Sequence, residues 1–349
     1  MKDIRDYTVK ELQALMHQRG APPYRAEQVF RALYQRRISR FEQMKELPRQ
    51  LRLDLKKECS FTPLVPVTRA YSGDKTEKFL LRLHDGNVIE AVSIPAPRRV
   101  TGCVSTQAGC AFACSFCASG KAGLVRNLTP AEIIAQALYL RDESETRRLT
   151  HLVFMGTGEP LDNYDNLLAA IRIMNTACGM HIGARRMTIS TCGIVKGIER
   201  LAKEGLQVEL SVSLHAADDR TRSRLMPVNR RYPLRRLMQA CRSYAAETGR
   251  QVTFEYVLIE GVNADLCSAG RLAVMLRGMD AKVNLIPCNP LGGAYGQWSP
   301  PSKTRVAAFC SALRSRGLTA TLRRARGGDI NAACGQLRLS TYAQAENQK

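Results

Sequence analysis

Residues 103–120, Cys-Val-Ser-Thr-Gln-Ala-Gly-Cys-Ala-Phe-Ala-Cys-Ser-Phe-Cys-Ala-Ser-Gly, read as a short strand running into a loop with three closely spaced thiols. Cys110, Cys114 and Cys117 stand at the spacing C-x3-C-x2-C. Thiolates at short loop spacings hold iron–sulfur clusters. Three of them can take three irons of a cubane [4Fe–4S] cluster and leave the fourth iron open to a small molecule. An open iron is what an enzyme needs to bind S-adenosylmethionine through its amino and carboxylate groups and cleave it reductively. Zinc is the main rival, but structural zinc usually closes with four ligands in paired C-x2-C units, and no fourth partner lies nearby in the sequence. The plainer alternative is a cysteine face on a helix, since positions i, i+4 and i+7 share one side.

From this stretch onward, strands and helices alternate. Strands are predicted at 103–105, 151–155, 187–191, 208–214, 252–258, 283–286 and 318–322, with helices near 131–142, 164–176, 194–204, 233–247, 264–277 and 303–316. Thr129-Pro130-Ala131-Glu132 is a capping signature with proline at the first helical position. Alternation of this kind indicates βαβ units and a parallel sheet. The expected fold is α/β, a partial (β/α)6 barrel of about six units, whose chemistry gathers at the C-terminal strand ends. The cysteine loop follows the first strand, where such a barrel places its active site.

Upstream, residues 1–60 read as a small helical module, with Val29, Phe30, Leu33 and Tyr34 spaced among charged residues. Leu47-Pro48 interrupts it, and Leu51, Leu53 and Leu55 continue it. The period then changes: Lys78-Phe-Leu-Leu-Arg-Leu and Val88-Ile-Glu-Ala-Val-Ser-Ile flank Asp85-Gly86, a hairpin signal. The expected organisation is a helical module at 1–60, a β-hairpin connector at 61–99, and a barrel with a C-terminal segment at 100–349.

Composition narrows the setting. Twelve cysteines could suggest disulfides, but four fall between Cys103 and Cys117 and the others are scattered through apolar segments. The start, Met-Lys-Asp-Ile-Arg-Asp-Tyr-Thr, lacks a signal-peptide core, and no apolar run approaches the roughly 18 residues of a membrane span. A reducing cytoplasm and no membrane partner are expected; there, clustered cysteines mean metal or catalysis more often than disulfides. Lys and Arg number 52 against 31 acidic residues, a formal charge of +21. That excess favours a polyanionic partner. It is dense at Arg230-Arg231, Arg235-Arg236 and from Arg314 through Arg323, Arg324 and Arg326. Any single run could be a solvated surface, but without a basic amphipathic helix nucleic acid is preferred over lipid.

Gly156-Thr157-Gly158-Glu159-Pro160 follows a predicted strand, one βα unit after the cysteines, and resembles the GGEP motif of radical S-adenosylmethionine enzymes. Ser190, the run Ser213-Leu214-His215, and Asn289 also fall at strand ends. Singly, each reads as a turn or cap residue; their recurrence on one barrel face favours ligand contact.

With these motifs the chain resembles the RlmN/Cfr family of radical S-adenosylmethionine RNA methyltransferases, and its RlmN branch more closely. The likeness runs through Tyr24-Arg-Ala-Glu-Gln28, Val88-Ile-Glu90, Cys103 to Cys110, Arg126-Asn-Leu128, Phe154 to Leu161, Ser213-Leu-His215, Asn284-Leu-Ile-Pro287 and Gly328-Asp-Ile-Asn-Ala-Ala-Cys-Gly-Gln336. The resemblance implies that Cys110, Cys114 and Cys117 bind the cluster, and that Gly158, Glu159, Ser190, Ser213, Leu214, His215 and Asn289 contact S-adenosylmethionine. It implies Cys334 as methyl carrier, Cys103 as resolving thiol in a transient disulfide with Cys334, and Glu90 as proton acceptor. A buried small hydrophobe is the alternative for Cys103 and Cys334, and Glu90 in an alternating strand could point to solvent. Cys178, Cys192, Cys241 and Cys310 read as core.

The chemistry so implied is methylation of an adenine C2 in 23S rRNA, and of tRNA as a further substrate, with two cofactor molecules per turnover. One methylates Cys334; the other supplies a 5′-deoxyadenosyl radical that activates the parked methyl group. An external flavodoxin-like or ferredoxin-like donor would supply the electron, and the protein would act as a monomer. Rivals are Cfr-type methylation at C8, an iron–sulfur regulator that binds nucleic acid, and a radical enzyme acting on a protein or small molecule. Three positions depart from the family pattern: Thr157 where methionine is usual, Cys288 where an aromatic residue is common, and Asn331 where aspartate is usual.

Overall fold

A computed structural model describes residues 1–121, 123–146, 148–289, 298–323 and 326–330. Arg324, Asn331 and the methyl-carrier candidate Cys334 lie outside the described residues.

The N-terminal stretch folds as three helices, α1 (Val9–Gln18), α2 (Tyr24–Phe30) and α3 (Arg49–Glu58). Thr8 and Glu11 form a capping box that starts α1, each side chain satisfying the other's backbone N–H. Two short strands, β1 (Lys2–Asp3) and β2 (Cys59–Ser60), pair in parallel and close the stretch on itself. Leu51 and Leu55 are buried as the spacing predicts, whereas Leu53 faces solvent. The packing does not stop here: Ile4, Phe30 and Leu55 belong to the same continuous core as the residues of the sheet.

The predicted hairpin is part of something larger. β3 (Val65–Tyr71), β4 (Glu77–Arg82), β5 (Val88–Ala96) and β6 (Arg99–Cys103) form an antiparallel meander. Then β6 pairs in parallel with β9 (His151–Phe154), so the meander and the parallel strands are one sheet. Its order is β14-β13-β12-β11-β10-β9-β6-β5-β4-β3, with β10 (Met187–Thr191), β11 (Glu209–Ser213), β12 (Val252–Leu258), β13 (Ala281–Pro287) and β14 (Thr319–Leu322). Between β6 and β9 the chain adds a two-stranded ribbon, β7 (Gln107–Gly109) with β8 (Leu124–Asn127). The barrel is open: among the described residues β14 and β3 are its free edges.

Six crossovers link the parallel strands, with helices α4 (Pro130–Glu143), α5 (Tyr164–Asn175), α6 (Val195–Ala202), the pair α7 (Asp219–Leu225) and α8 (Leu234–Thr248), α9 (Leu266–Leu276), and α10 (Lys303–Arg314) among the described residues. The helix absent from the sequence reading is α7, whose charged run Asp-Arg-Thr-Arg-Ser-Arg-Leu shows little apolar periodicity. The first strand also shifts, ending at Cys103 rather than beginning there.

Pleating decides which side chains meet, because alternate residues of a strand face opposite ways. A Cβ on Gly102 would fall 3.0 Å from Leu140 of α4, so Gly102 faces the helices. Its neighbour Cys103 therefore faces the inside of the curved sheet. Register carries this across: Cys103 lies opposite Val92 and Val153, and Val92 opposite Lys78. Lys78, Glu90, Val92, Cys103, Val153 and Met155 thus share the inner face.

Candidate active site

The cysteine loop is held at both ends by the β7–β8 ribbon. Cys110 N–H donates to the Gly123 carbonyl at 2.9 Å, and Ala113 takes a left-handed φ of 46° where the loop reverses. Further ties come from the far side. Ser115 N–H donates to the Leu225 carbonyl at the end of α7, and Trp298 Nε1–H donates to the Ser115 carbonyl.

The Gly-Thr-Gly-Glu-Pro turn after β9 packs backbone against backbone on residues 104–107. A Cβ on Gly156 would stand 2.7 Å from Ser105 N, and one on Gly158 would stand 2.6 Å from Gln107 Cβ. Gly158 also has φ 108°, which side-chain-bearing residues rarely adopt. Gln107 Oε1 accepts from Glu159 N–H at 2.8 Å, and the Glu159 carboxylate then accepts from Cys192 N–H at 2.6 Å. Burial raises the Glu159 carboxyl above its ordinary range despite the hydrogen bonds it accepts from Cys192 and Leu161.

At the end of β11, His215 has a φ of 58° and accepts from Val257 N–H at Nδ1, 3.0 Å away. That bond leaves the neutral ring's proton on Nε2. Burial, then the nearby Arg222 charge, pushes the His215 pKa down to about 3, so the ring stays neutral. Phe116 from the cysteine loop stands edge-on against it at 4.7 Å.

These pieces line one cavity: Cys110, Cys114, Cys117, Gly158, Glu159, Ser190, Ser213, His215 and Asn289 all border it. Leu214 does not; it is fully buried in the core, and its N–H donates to the Glu255 carbonyl, so any contact it makes with a ligand must be through backbone. Cys103 is buried against Val92, Ile94, Val153 and Met155, and Met155 borders the cavity. Glu90, far from pointing to solvent, is buried with the Lys78 ammonium 3.3 Å away.

Two residues that line the cavity, Cys192 and Glu255, and one that lies behind its lining, Arg222, escaped the sequence reading. Cys192, read as core, is buried yet lines the cavity. Glu255 enters from β12 and accepts from Ser211 Oγ and Asn284 Nδ2, both at 2.9 Å. Arg222, fully buried, donates to the carbonyls of Cys192, Ser213 and Leu214 and to Asn229 Oδ1. It ties together the ends of β10 and β11.

The three loop thiols fit a cubane. Burial pushes Cys110 up to about 12 and Cys114 well above the ordinary thiol range, with the neighbouring sulfurs adding to both. Three thiolates here need a strong local positive charge, which bound metal supplies. Among the described residues no three His, Cys, Asp or Glu side chains converge as a single ion requires. A cubane instead takes one thiolate per iron, so its ligands stand apart.

An open αβ sheet with three thiols and a glycine-acid turn at its strand ends defines a radical S-adenosylmethionine enzyme, and residues 104–267 match the Radical SAM superfamily model. That superfamily implies a [4Fe–4S] cluster and S-adenosylmethionine. Residues 2–61 match the ribosomal RNA large subunit methyltransferase N-terminal domain. The chain is 48% identical over 97% of its length to the "Probable dual-specificity RNA methyltransferase RlmN" of Moorella thermoacetica, covering 98% of it. It is 44% identical over 96% of its length to the dual-specificity RNA methyltransferase RlmN of Syntrophobacter fumaroxidans, covering 97%. A radical SAM methyltransferase from Sphaerobacter thermophilus superposes with TM-score 0.91 at 48% identity, over 97% of this chain and 99% of that one. The chain belongs to the RlmN family of radical S-adenosylmethionine RNA methyltransferases.

Proposed function

We propose that the protein methylates C2 of an adenosine in 23S rRNA, and of tRNA as a second substrate, through a methyl group carried on Cys334. The observation that carries this reading is the shared inner face: Glu90 and Cys103 lie on it, and its next member, Met155, borders the cavity of the three thiols.

Cys110, Cys114 and Cys117 would hold the cluster; Gly158, Glu159, Ser190, Ser213, His215, Asn289 and the Leu214 backbone would seat S-adenosylmethionine. When bound, cluster and cofactor supply the methyl group and a 5′-deoxyadenosyl radical, two cofactor molecules serving each turnover. The chain's own residues do the rest. Cys334 carries the methyl group to the electron-poor ring carbon, which has no lone pair for direct polar transfer. Glu90 accepts the ring proton from the enzyme–RNA adduct. Once the adduct has given up its unpaired electron to the electron-transfer system, the Cys103 thiolate would attack Cys334 sulfur. The disulfide bond forms, the sulfur–methylene bond breaks with its electron pair going to the carbon, and a proton on that carbon completes the methyl group of the released RNA. Packing of Cys103 among Val92, Ile94 and Met155 keeps water from that sulfur.

The target adenine must leave its stack to reach the cavity, so a loop or opened RNA segment is the expected substrate. Exposed Arg230, Arg231, Arg235 and Arg236 would meet phosphates. Residues 1–60 would grip RNA beyond the cavity as an accessory module, with 61–99 connecting them to the barrel at 100–349. A flavodoxin-like or ferredoxin-like protein would deliver the electron to a cytoplasmic monomer. No helix among the described residues is long and apolar enough to cross a membrane.

Two variants test the reading. Cys334→Ala should yield no methylated RNA, and Cys103→Ala should accumulate a covalent enzyme–RNA adduct, resolved by denaturing gel. Normal product from Cys334→Ala would contradict the carrier role.

A further inference from the structure

β4 opens with two charged residues in a row, and pleating sends them to opposite faces. Glu77 turns to the helices, where its carboxylate accepts from Glu145 N–H at 3.0 Å and pairs with Arg69. Phe79 lies on the same side, edge-on to Tyr139 of α4 at 5.4 Å. Lys78, between them, therefore points to the inner face.

Lysine usually carries its charge out to water on its long stem. The Lys78 side chain is instead 8% exposed, its ammonium 3.3 Å from a Glu90 carboxylate that is 1% exposed. Their described neighbours on this face are apolar. Leu80 lies opposite Glu90, Val92 lies opposite Lys78, and Ile94, Val153 and Met155 pack against Val92 and Cys103. An apolar pair would suit such a setting as well or better. Packing alone gives no reason for two charges here.

Glu90 is also fixed through its backbone. Its carbonyl accepts from Ser105 Oγ at 2.7 Å, and the same hydroxyl oxygen accepts from Thr157 N–H at 2.9 Å. Thr157 stands between Gly156 and Gly158, which both border the cavity. One hydroxyl thus ties the backbone of the proposed proton acceptor to the glycine turn, while Lys78 meets its carboxylate.

A buried carboxylate without a cation gives up its charge, and a neutral acid cannot take the ring proton. We infer that Lys78 is a positioning residue for the methyl transfer, keeping the Glu90 carboxylate charged on the inner face. The step it serves breaks the ring C2–H bond of the enzyme–RNA adduct. The electron pair stays with the ring and the proton passes to Glu90. The inference rests on Glu90 being that acceptor.

The test uses full-length holoenzyme, reconstituted anaerobically, as wild type, Lys78→Gln, Lys78→Arg and Glu90→Gln, with ribosomal RNA carrying deuterium at adenine C2. Reactions run below the melting temperature of the least stable variant. They are scored for 5′-deoxyadenosine, for methylated product per 5′-deoxyadenosine, and for deuterium left in the covalent enzyme–RNA adduct after nuclease digestion and mass spectrometry. Lys78→Gln should still form 5′-deoxyadenosine but yield about a hundredfold less product for each one formed, the scale of a missing general base. Its adduct should accumulate with the deuterium retained, as should that of Glu90→Gln. Lys78→Arg, which keeps the charge, should recover most of the yield. A pair serving the fold alone would lower 5′-deoxyadenosine and product together and leave no deuterated adduct. That result, or a wild-type product yield from Lys78→Gln, would overturn the role of Lys78. A Glu90→Gln enzyme that releases deuterium at the wild-type rate would instead overturn the acceptor reading, and the inference with it.

Discussion

The Lys78 ammonium lies 3.3 Å from the Glu90 carboxylate across β4 and β5, and both side chains are buried. Taking two charges out of water is costly, so the pair is held together by mutual need rather than by large net gain. Lys78→Met should leave Glu90 without this partner and destabilise the fold by about 3 kcal/mol. The double variant Lys78→Met/Glu90→Leu should recover part of that loss. Urea denaturation monitored by circular dichroism checks both; equal stability of the two variants would mean that the pair is not coupled.

Gly158→Ala should damage the turn twice over. The added Cβ meets Gln107 Cβ at 2.6 Å, and φ 108° is strained for any residue bearing one. Strain of this kind is worth on the order of 2 kcal/mol. The expected result is a lower melting temperature and weaker S-adenosylmethionine binding by calorimetry, while Gly249→Ala, also at positive φ but in open space, should leave binding intact.

Arg222→Met should be among the most destabilising single changes in the barrel. It leaves the carbonyls of Cys192, Ser213 and Leu214 short of a donor, and a buried unsatisfied group costs about 1–3 kcal/mol. Arg222→Lys should rescue little, because an ammonium lacks the planar fork that spans two strand ends. Thermal melts of both variants, beside wild type, measure this.

Apoprotein stability should fall in acid through His215. Its folded pKa is depressed to about 3, below the ordinary imidazole value of about 6.5. Between those values the unfolded chain binds the extra proton, so stability rises with pH across that window and levels off above it. His215→Asn, which keeps an acceptor for Val257 N–H, should show a shallower slope between pH 4 and 6.5, on the order of one proton less. An unchanged slope would mean that other groups carry the acid sensitivity.

Much of this molecule is legible in local pattern, and the exceptions have physical causes. The Thr129-Pro130-Glu132 cap places α4 because the signal lies within four residues. The cysteine spacing and the glycine turn likewise declare themselves locally. Glu90 does not, because its burial and its Lys78 partner depend on strand pairing. Arg222 reads as one charge among several in α7, and only the tertiary fold shows it enclosed beneath two strand ends. Cys192 reads as a small hydrophobe and is one, yet it also borders the cavity. The meander's fusion with the parallel sheet rests on β6 pairing with β9 some fifty residues away, which no local period encodes.

The proposed function stands on a methyl group placed at adenine C2. Anaerobic reconstitution with ribosomal RNA, a reductant and methyl-labelled S-adenosylmethionine, followed by nucleoside mass spectrometry, tests it most directly. The expected products are labelled 2-methyladenosine and 5′-deoxyadenosine. Label found only in 8-methyladenosine, or RNA bound with neither product formed, would contradict it.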